Sequence, residues 1–183
     1  RGLRTWNLQE GRPTILVTGG SQGAVSINAA LADAVERLTG AGFQILHAYG
    51  RKNDAPATHD HYTAVPYIDD MEAAYAVADV VVCRSGAMTV AENSAAGIPA
   101  IYIPLPHGNG EQGLNSAHLV DAGAALRIDD AALSGDVLVD KLLPLVEPEA
   151  RATMRAALKD SGAGSVAEDL AARIAAAAGK DTK

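Results

Sequence analysis

The sequence contains little that would suggest a disulfide-linked, membrane-spanning or nucleic-acid-binding protein. A single cysteine, Cys83, excludes a disulfide framework and a cysteine-rich zinc site, and suits a reducing cytoplasm. No apolar run reaches the ~18 uncharged residues that a membrane-spanning helix requires. The 15 lysines and arginines against 22 aspartates and glutamates give a net charge of -7, which disfavours binding to nucleic acid. The ligand of this protein is therefore expected to be small.

Aromatic residues are also scarce, at 4% of a chain that is 48% hydrophobic and rich in alanine. This composition favours close helix packing over large aromatic pockets. We expect one domain, which at this length buries roughly two-thirds or more of its unfolded surface. The start, R-G-L-R, has no methionine and no apolar signal core, so we interpret it as an internal cut in a longer protein. The alanine-rich residues 166–178 include Glu168, Asp169 and Arg173, and predict a soluble helix.

Apolar runs and turn signals predict strands that alternate with helices after a polar lead-in at residues 1–13. Strands are predicted at residues 13–18, 43–49, 62–65, 80–83, 100–103 and 125–128. Helices are predicted at residues 24–39, 70–78, 111–122, 134–146 and 148–159, and between a Ser85-Gly86 turn and residue 96. The alternation predicts an α/β fold, a Rossmann-like doubly wound parallel sheet of about six strands, over residues 14–183.

Three loops at the carboxyl edge of this predicted sheet carry unusual residues, and ligands of such sheets bind at that edge. The first loop, G-G-S-Q-G at residues 19–23, suits a phosphate because glycines allow close approach and a helix start follows. It is neither a Walker loop nor G-x-G-x-x-G, since Thr18 replaces the first glycine. No acidic residue ends the second strand, so an NAD site is disfavoured. A tight turn without a ligand remains an open alternative.

The other two loops are ambiguous when each is taken separately. Residues 84–92 end in Glu92, whose carboxylate can accept two hydrogen bonds from a ribose diol. Thr89 and Glu92 also have the spacing of a capping box. Taken by itself, this motif favours the capping role of Glu92 over ribose binding. Residues 107–112 carry polar side chains suited to sugar hydroxyls, or form an ordinary helix start with Glu111 favoured by the helix dipole.

Other polar groups are interpreted as structural. His59 and His61 have no third metal ligand nearby, so a solvated loop is favoured. Asp69 and Asp70 are interpreted first as helix caps, and Cys83 as a core residue. No Asp-x-Asp occurs in the sequence. We therefore predict no metal and no cofactor.

Four motifs together resemble one family. They are G-G-S-Q-G-A at residues 19–24, Y-I-D-D-M at 67–71, A-D-V-V-V-C-R-S-G-A-M-T-V-A-E at 78–92 and H-G-N-G-E-Q-x-x-N at 107–115. In this order and spacing the chain resembles the MurG family of bacterial peptidoglycan enzymes. The resemblance implies an inverting transfer of N-acetylglucosamine from UDP-N-acetylglucosamine to a lipid-linked muramyl-pentapeptide, and a GT-B fold of which this chain is the C-terminal, donor-binding half.

The resemblance also implies what lies outside this chain. The N-terminal domain of the family carries the acceptor site, the membrane-facing patch and the general base, so the catalytic residues stay unknown and the chain alone is expected to be inactive. The full-length protein is expected in the cytoplasm, peripheral on the inner face of the plasma membrane. Two alternatives stay open: a stand-alone nucleotide-sugar-binding subunit that needs a membrane partner chain, and a GT-B UDP-N-acetylglucosamine epimerase.

Position by position, the resemblance implies the residues of a donor site. Ser21 and Gln22 would meet the diphosphate or lie beside the sugar, and the backbone of Ile68 would pair with uracil. Glu92 would hold the ribose hydroxyls. The substrate-binding residues implied are Gly20, Ser21, Gln22, Gly23, Ile68, Met71, Arg84, Ser85, Gly86, Ala87, Met88, Thr89, Glu92, Glu111, Gln112 and Asn115. Two positions depart from the family pattern: Glu111 stands where many members have glutamine, and Tyr67 where phenylalanine is commoner.

Overall fold

The computed structural model describes residues 2–163, and its centre is one six-stranded sheet. All strands are parallel, in the order β3-β2-β1-β4-β5-β6. They are β1 (Thr14–Thr18), β2 (Gln44–Ala48), β3 (Tyr62–Val65), β4 (Val80–Cys83), β5 (Ala100–Tyr102) and β6 (Ala125–Arg127). The chain crosses from β3 at one edge back to β4 beside β1, so the sheet is doubly wound. The predicted fold class is confirmed.

Seven α-helices lie within the described residues 2–163. They are α1 (Gly2–Thr5), α2 (Val25–Gly40), α3 (Met71–Val77), α4 (Ala87–Ala95), α5 (Glu111–Asp121), α6 (Gly135–Leu142) and α7 (Pro148–Asp160). Short 3₁₀ turns occupy Asp130–Ala132 and Leu143–Val146. The single helix predicted over 134–146 is wrong in its last part, because Pro144 has no backbone N–H to continue the helix. The helix predicted over 166–178 lies outside the described residues.

Helices cover both faces of the sheet, and the alternating side chains of β1 supply both cores. Ile15 and Val17 pack on one face with residues of α2 and α6. Leu16 faces the other side, in a cluster with residues of α3, α4, α5 and α7. Burial on both faces explains why the central strands are continuous apolar runs. Among residues 2–163, no helix has the length and apolar character needed to cross a membrane.

The lead-in, predicted only as polar, is anchored to the amino edge of the sheet. Trp6 is buried in the same cluster as Leu16. Gln44, which is 1% exposed at the start of β2, donates through its side-chain amide to the carbonyls of Gln9 and Arg12 and accepts from the Gln9 amide at 2.8 Å. The opposite, carboxyl edge is left open, and the loops that follow β1, β4 and β5 meet there.

Candidate functional site

The three loops singled out in the sequence surround one cavity at the carboxyl edge of the sheet. Its volume is about 450 Å³, within the ~300–1,000 Å³ typical of small-molecule sites. Each loop contributes to its wall. The lining residues are Gly19, Gly23, Ala24, Val25, Arg84, Gly86, Thr89, Leu105 and Gln112. Because these residues are distant in sequence, the parallel sheet is what brings them together.

The glycine-rich loop is a tight turn whose own amides are partly engaged. The Gly20 amide donates to Thr18 Oγ1 at 3.2 Å, and the Gly23 amide donates to the Gly20 carbonyl at 3.0 Å. The amides of Ser21 and Gln22 have no such partner among the described residues. The first turn of α2 follows, and its N-cap, Ala24, offers no side-chain acceptor. Uncapped amides and the helix dipole therefore face the cavity, which favours an anion there.

Arg84 braces the site from within. Its Nη1 lies 2.5 Å from Asp130 Oδ1, and its Nη2 donates to Ser26 Oγ at 3.0 Å. Ser26 in turn donates to the same Asp130 oxygen at 2.7 Å. Burial raises the pKa of Asp130, but the hydrogen bonds from Ser26 and Arg84, with the charges of Arg84 and His107, outweigh it and hold that pKa below its usual range. Arg84 therefore fixes the first turn of α2 against the loop after β6.

This ion pair gives the chain a specific acid sensitivity. Because the pKa of Asp130 is lower in the folded state, the stabilisation is present above the unfolded pKa of about 4 and is lost as the pH falls through the folded value. We expect Asp130→Asn to cost about 1.5–3 kcal/mol at pH 7, since charge-assisted hydrogen bonds are lost. The gap to the unsubstituted chain should close below about pH 4.

Thermal unfolding followed by circular dichroism across this pH range measures both stabilities. Asp136→Asn is the matched control, because Asp136 pairs with Arg37 at 2.7 Å but its side chain is 84% exposed. That variant should differ from the unsubstituted chain by less than about 1 kcal/mol at every pH. A stability gap for Asp130→Asn that does not change with pH would contradict the lowered pKa.

Glu92 lies in a second cavity, a groove of about 580 Å³ between α3 and α4 that Met71 and Tyr75 also line. Its Oε2 accepts a hydrogen bond from the Tyr75 hydroxyl at 3.0 Å. The capping box favoured by the sequence is wrong. The helix begins at Ala87, directly after extended Gly86, so Thr89 already lies inside α4. Glu92 is thus an exposed carboxylate in mid-helix, available to a ligand.

The segment before α3 contains a predicted helix cap, Asp70, and a residue, Ile68, whose backbone groups are not hydrogen-bonded to any of residues 2–163. Asp70 is the N-cap of α3 and accepts from the Ala73 amide at 3.0 Å, which confirms that prediction. Asp69 lies 3.6 Å from Arg51 instead. The side chain of Ile68 is buried, and its backbone N–H and C=O have no hydrogen bond within the described part of the chain. This edge can therefore pair with a ligand.

The second and third loops are tied to each other by side chains predicted to touch substrate. The Ser85 hydroxyl donates to the Gln112 carbonyl at 2.7 Å, and the Asn115 amide donates to the Ser85 carbonyl at 3.0 Å. Gln112 Oε1 accepts from the Leu105 amide at 2.9 Å while the residue lines the main cavity. Asn115 and Ser85 thus hold the second and third loops together.

The remaining predicted residues are exposed at the same edge of the sheet. They are Gly20, Ser21, Gln22, Ala87, Met88 and Glu111. Elsewhere, His59 lies 3.8 Å from Glu36, and residues 2–163 contain no group of three or more His, Cys, Asp or Glu that could hold a metal ion. Cys83 is buried, and that burial raises the pKa of its thiol to about 12, so its assignment to the core is confirmed.

A polar network that the sequence did not predict lies beneath the glycine-rich loop. It consists of Asn28, His47, Asn53 and Tyr62 together with the Tyr49 carbonyl. The available signal was His47, a polar residue inside the apolar run of β2. A polar side chain buried in a strand needs partners, and those of His47 lie on two other elements, α2 and β3.

Residues 14–174 match the family described as the glycosyltransferase family 28 C-terminal domain. A relative from Corynebacterium glutamicum strain R, named UDP-N-acetylglucosamine--N-acetylmuramyl-(pentapeptide) pyrophosphoryl-undecaprenol N-acetylglucosamine transferase, is 56% identical over 177 residues, or 96% of this chain and 50% of the relative. A relative of the same name from Mycolicibacterium smegmatis is 53% identical over 154 residues, or 81% of this chain and 40% of the relative. The chain thus spans about half the length of the curated relatives it matches.

Solved structures of glycosyltransferases have a similar fold. The crystal structure of Acinetobacter baumannii MurG is similar with a TM-score of 0.72 at 29% identity, over 92% of this chain and 52% of that chain. The glycosyltransferase VinC, solved in complex with dTDP, shares the fold at 19% identity with a TM-score of 0.66, over 91% of this chain and 43% of that chain. These similarities agree with the doubly wound sheet described above.

Proposed function

The chain belongs to the glycosyltransferase family 28 C-terminal domain family, and on this premise we propose that it is the donor-binding domain of an N-acetylglucosaminyltransferase of peptidoglycan synthesis. The observation that carries the proposal is the single cavity in which the three motif loops meet in front of the uncapped start of α2. Its relatives are named for transfer of N-acetylglucosamine from its UDP-linked form. A nucleoside diphosphate sugar has the anionic centre that such a cavity suits.

The proposed donor lies along the carboxyl edge of the sheet. Its diphosphate faces the free amides of Ser21 and Gln22 and the first turn of α2. Its uracil pairs with the free backbone of Ile68, and its ribose hydroxyls bind the exposed carboxylate of Glu92. The sugar lies toward the third loop, near the exposed Glu111. This placement is supported by the free hydrogen-bonding groups at each of these positions.

The chemistry proposed for the whole protein is an inverting displacement. The acceptor hydroxyl attacks the anomeric carbon as the bond to UDP breaks, and negative charge develops on the leaving diphosphate. The amides and dipole at the start of α2 stabilise that charge from a fixed position. We assign the general base, the lipid-linked acceptor site and the peripheral membrane contact to the part of the longer protein that precedes this domain.

Calorimetric titration tests the donor site. We expect this chain to bind UDP and UDP-N-acetylglucosamine more tightly than NAD, with no change on addition of EDTA. The reason is that the glycine-rich loop offers free amides to a diphosphate, whereas no carboxylate stands at the end of β2 to hold an adenosine ribose. Saturable NAD binding at lower concentration than UDP contradicts the proposal, and UDP binding that requires magnesium contradicts its metal independence.

A matched pair of variants places the bound ligand. Val25, 74% exposed at the start of α2, lines the cavity. A carboxylate in the first helical turn favours the helix by about 0.3–1 kcal/mol but repels a bound diphosphate. Val25→Asp should therefore weaken UDP binding relative to Val25→Asn without loss of thermal stability. Equal UDP affinity in the two variants would contradict the placement of the diphosphate at the start of α2.

A further inference from the structure

A fully bonded histidine lies beneath the glycine-rich loop. His47, in β2, is 1% exposed. Its Nδ1 lies 2.7 Å from the Tyr62 hydroxyl and its Nε2 lies 2.9 Å from Asn28 Oδ1. Burial lowers the pKa of His47 to about 4, so the ring is neutral near pH 7. A buried imidazole with partners on both nitrogens is held in one orientation.

The hydrogen bonds of Asn28 fix which nitrogen of His47 carries the proton. Asn28 Nδ2 donates to the Tyr49 carbonyl at 2.9 Å, so its Oδ1, which can only accept, faces His47. The proton of His47 is therefore on Nε2, and Nδ1 accepts from the Tyr62 hydroxyl. Donation runs in one direction, from Tyr62 through His47 and Asn28 to the Tyr49 carbonyl.

The Tyr49 carbonyl is the support on which the glycine-rich loop rests. A Cβ on Gly23 would lie 2.2 Å from this oxygen, so the two backbones are in direct contact. Asn53 Nδ2 donates to the Tyr49 carbonyl and to the Gln22 carbonyl, both at 2.9 Å. Any shift of the Tyr49 carbonyl is therefore passed to residues 22 and 23, next to the free amides of the loop.

We infer that His47 is a positioning residue of the donor site, acting through Asn28 and the Tyr49 carbonyl to hold residues 20–23 in the shape that presents free amides to a diphosphate. The inference rests on the proposed function. Ile45, the residue of β2 that faces the same side of the sheet as His47, is apolar and packs in the core, so an apolar side chain would serve for packing alone. A buried polar ring needs its partners to avoid a desolvation cost, and here the partner of Nε2, Asn28, leads to the Tyr49 carbonyl beneath the loop.

Three variants separate positioning from simple core packing. His47→Leu removes both hydrogen bonds, whereas His47→Gln keeps a donor that can reach Asn28. The matched control is Gln44→Leu, since Gln44 is also 1% exposed in β2 but bonds only at the amino edge. The readouts are the NMR amide signals of Gly20 and Gly23 without ligand, calorimetric UDP affinity and thermal stability.

We expect His47→Leu to shift the Gly20 and Gly23 amide signals and to weaken UDP binding about fivefold, the effect of one hydrogen bond. His47→Gln should restore most of both. Gln44→Leu should lose thermal stability but leave the amide signals and the UDP affinity in place. The inference is overturned if His47→Leu changes the two amides and the affinity no more than Gln44→Leu does.

Two further measurements test the positioning role of His47 independently of the His47→Leu variant. If His47→Leu does not fold, Tyr62→Phe, which removes only the hydroxyl bonded to Nδ1, should shift the same amide signals, and unmoved signals overturn the inference. The nitrogen NMR shifts of the His47 ring in the unsubstituted chain must show the proton on Nε2. Because the amide signals need no ligand, failure of the unsubstituted chain to bind UDP rejects the proposed function separately from the positioning of the loop.

Discussion

Gly23→Ala is expected to abolish measurable UDP binding and to lower the free energy of unfolding by more than about 3 kcal/mol. Gly23 has φ +74, which an L side chain rarely adopts, and its Cβ would lie 2.2 Å from the Tyr49 carbonyl oxygen. The carbonyl oxygen cannot move cheaply, because the side-chain amides of Asn28 and Asn53 both donate to it. The glycine-rich loop must therefore lift from its support. Urea unfolding and calorimetric titration measure the two effects.

Two glycine variants separate loop displacement from backbone strain. Gly97 has φ +67 and open space around a new Cβ, and lies in the turn after α4, so Gly97→Ala should cost about 1–2 kcal/mol and keep its UDP affinity. Gly20→Ala strains the loop itself at φ +87 without a clash. It should fall between the other two in UDP affinity. A Gly23→Ala chain that binds UDP as the unsubstituted chain does is inconsistent with the loop as a diphosphate site.

Glu92→Gln is expected to weaken UDP binding at least about tenfold, or roughly 1.4 kcal/mol, with thermal stability nearly unchanged. Glu92 is exposed in mid-helix and plays no part in capping α4, so its charge has little structural role. Glutamine keeps an oxygen for the Tyr75 hydroxyl but replaces charge-assisted hydrogen bonds to a diol with weaker neutral ones. Calorimetry and thermal unfolding of the same preparation measure both quantities.

The matched control for Glu92 is Glu72→Gln, because Glu72 is an exposed carboxylate that lines the same groove. It removes the same charge and should change UDP affinity by less than about twofold. Tyr75→Phe removes the hydrogen bond to Glu92 but keeps the carboxylate, and should weaken binding less than Glu92→Gln does. Unaltered UDP affinity in Glu92→Gln would remove Glu92 from the donor site.

The order and type of the elements were determined by the sequence with little help from tertiary context. Strands predicted at 62–65 and 80–83 have the observed bounds, and the other strands and helices differ mainly by a residue or two at their ends. Apolar runs of strand length and glycine or proline at their ends are local signals, so they survive without knowledge of the fold. The family was equally accessible, because four motifs in order and spacing are a property of the chain.

Local sequence signals gave a wrong prediction where a short motif was compatible with more than one structure. Thr89 and Glu92 have the spacing of a capping box, yet α4 starts at Ala87 because β4 ends at Cys83 and the chain turns through Gly86 at once. The helix start was decided by where the strand leaves the sheet. Likewise the short helix α1 and the docking of Trp6 depend on an apolar site that only the folded sheet creates.

Only the tertiary structure decided which polar side chains of the motifs face the cavity and which hold it together. Arg84 pairs with Asp130, 46 residues away, and Asn115 bonds to Ser85, 30 residues away. His47 finds Asn28 across 19 residues. The same residue types at the same spacing serve either role, because the role is set by the hydrogen-bond partner. Those partners come from separate loops, which meet only once the parallel strands have brought their carboxyl ends to one edge.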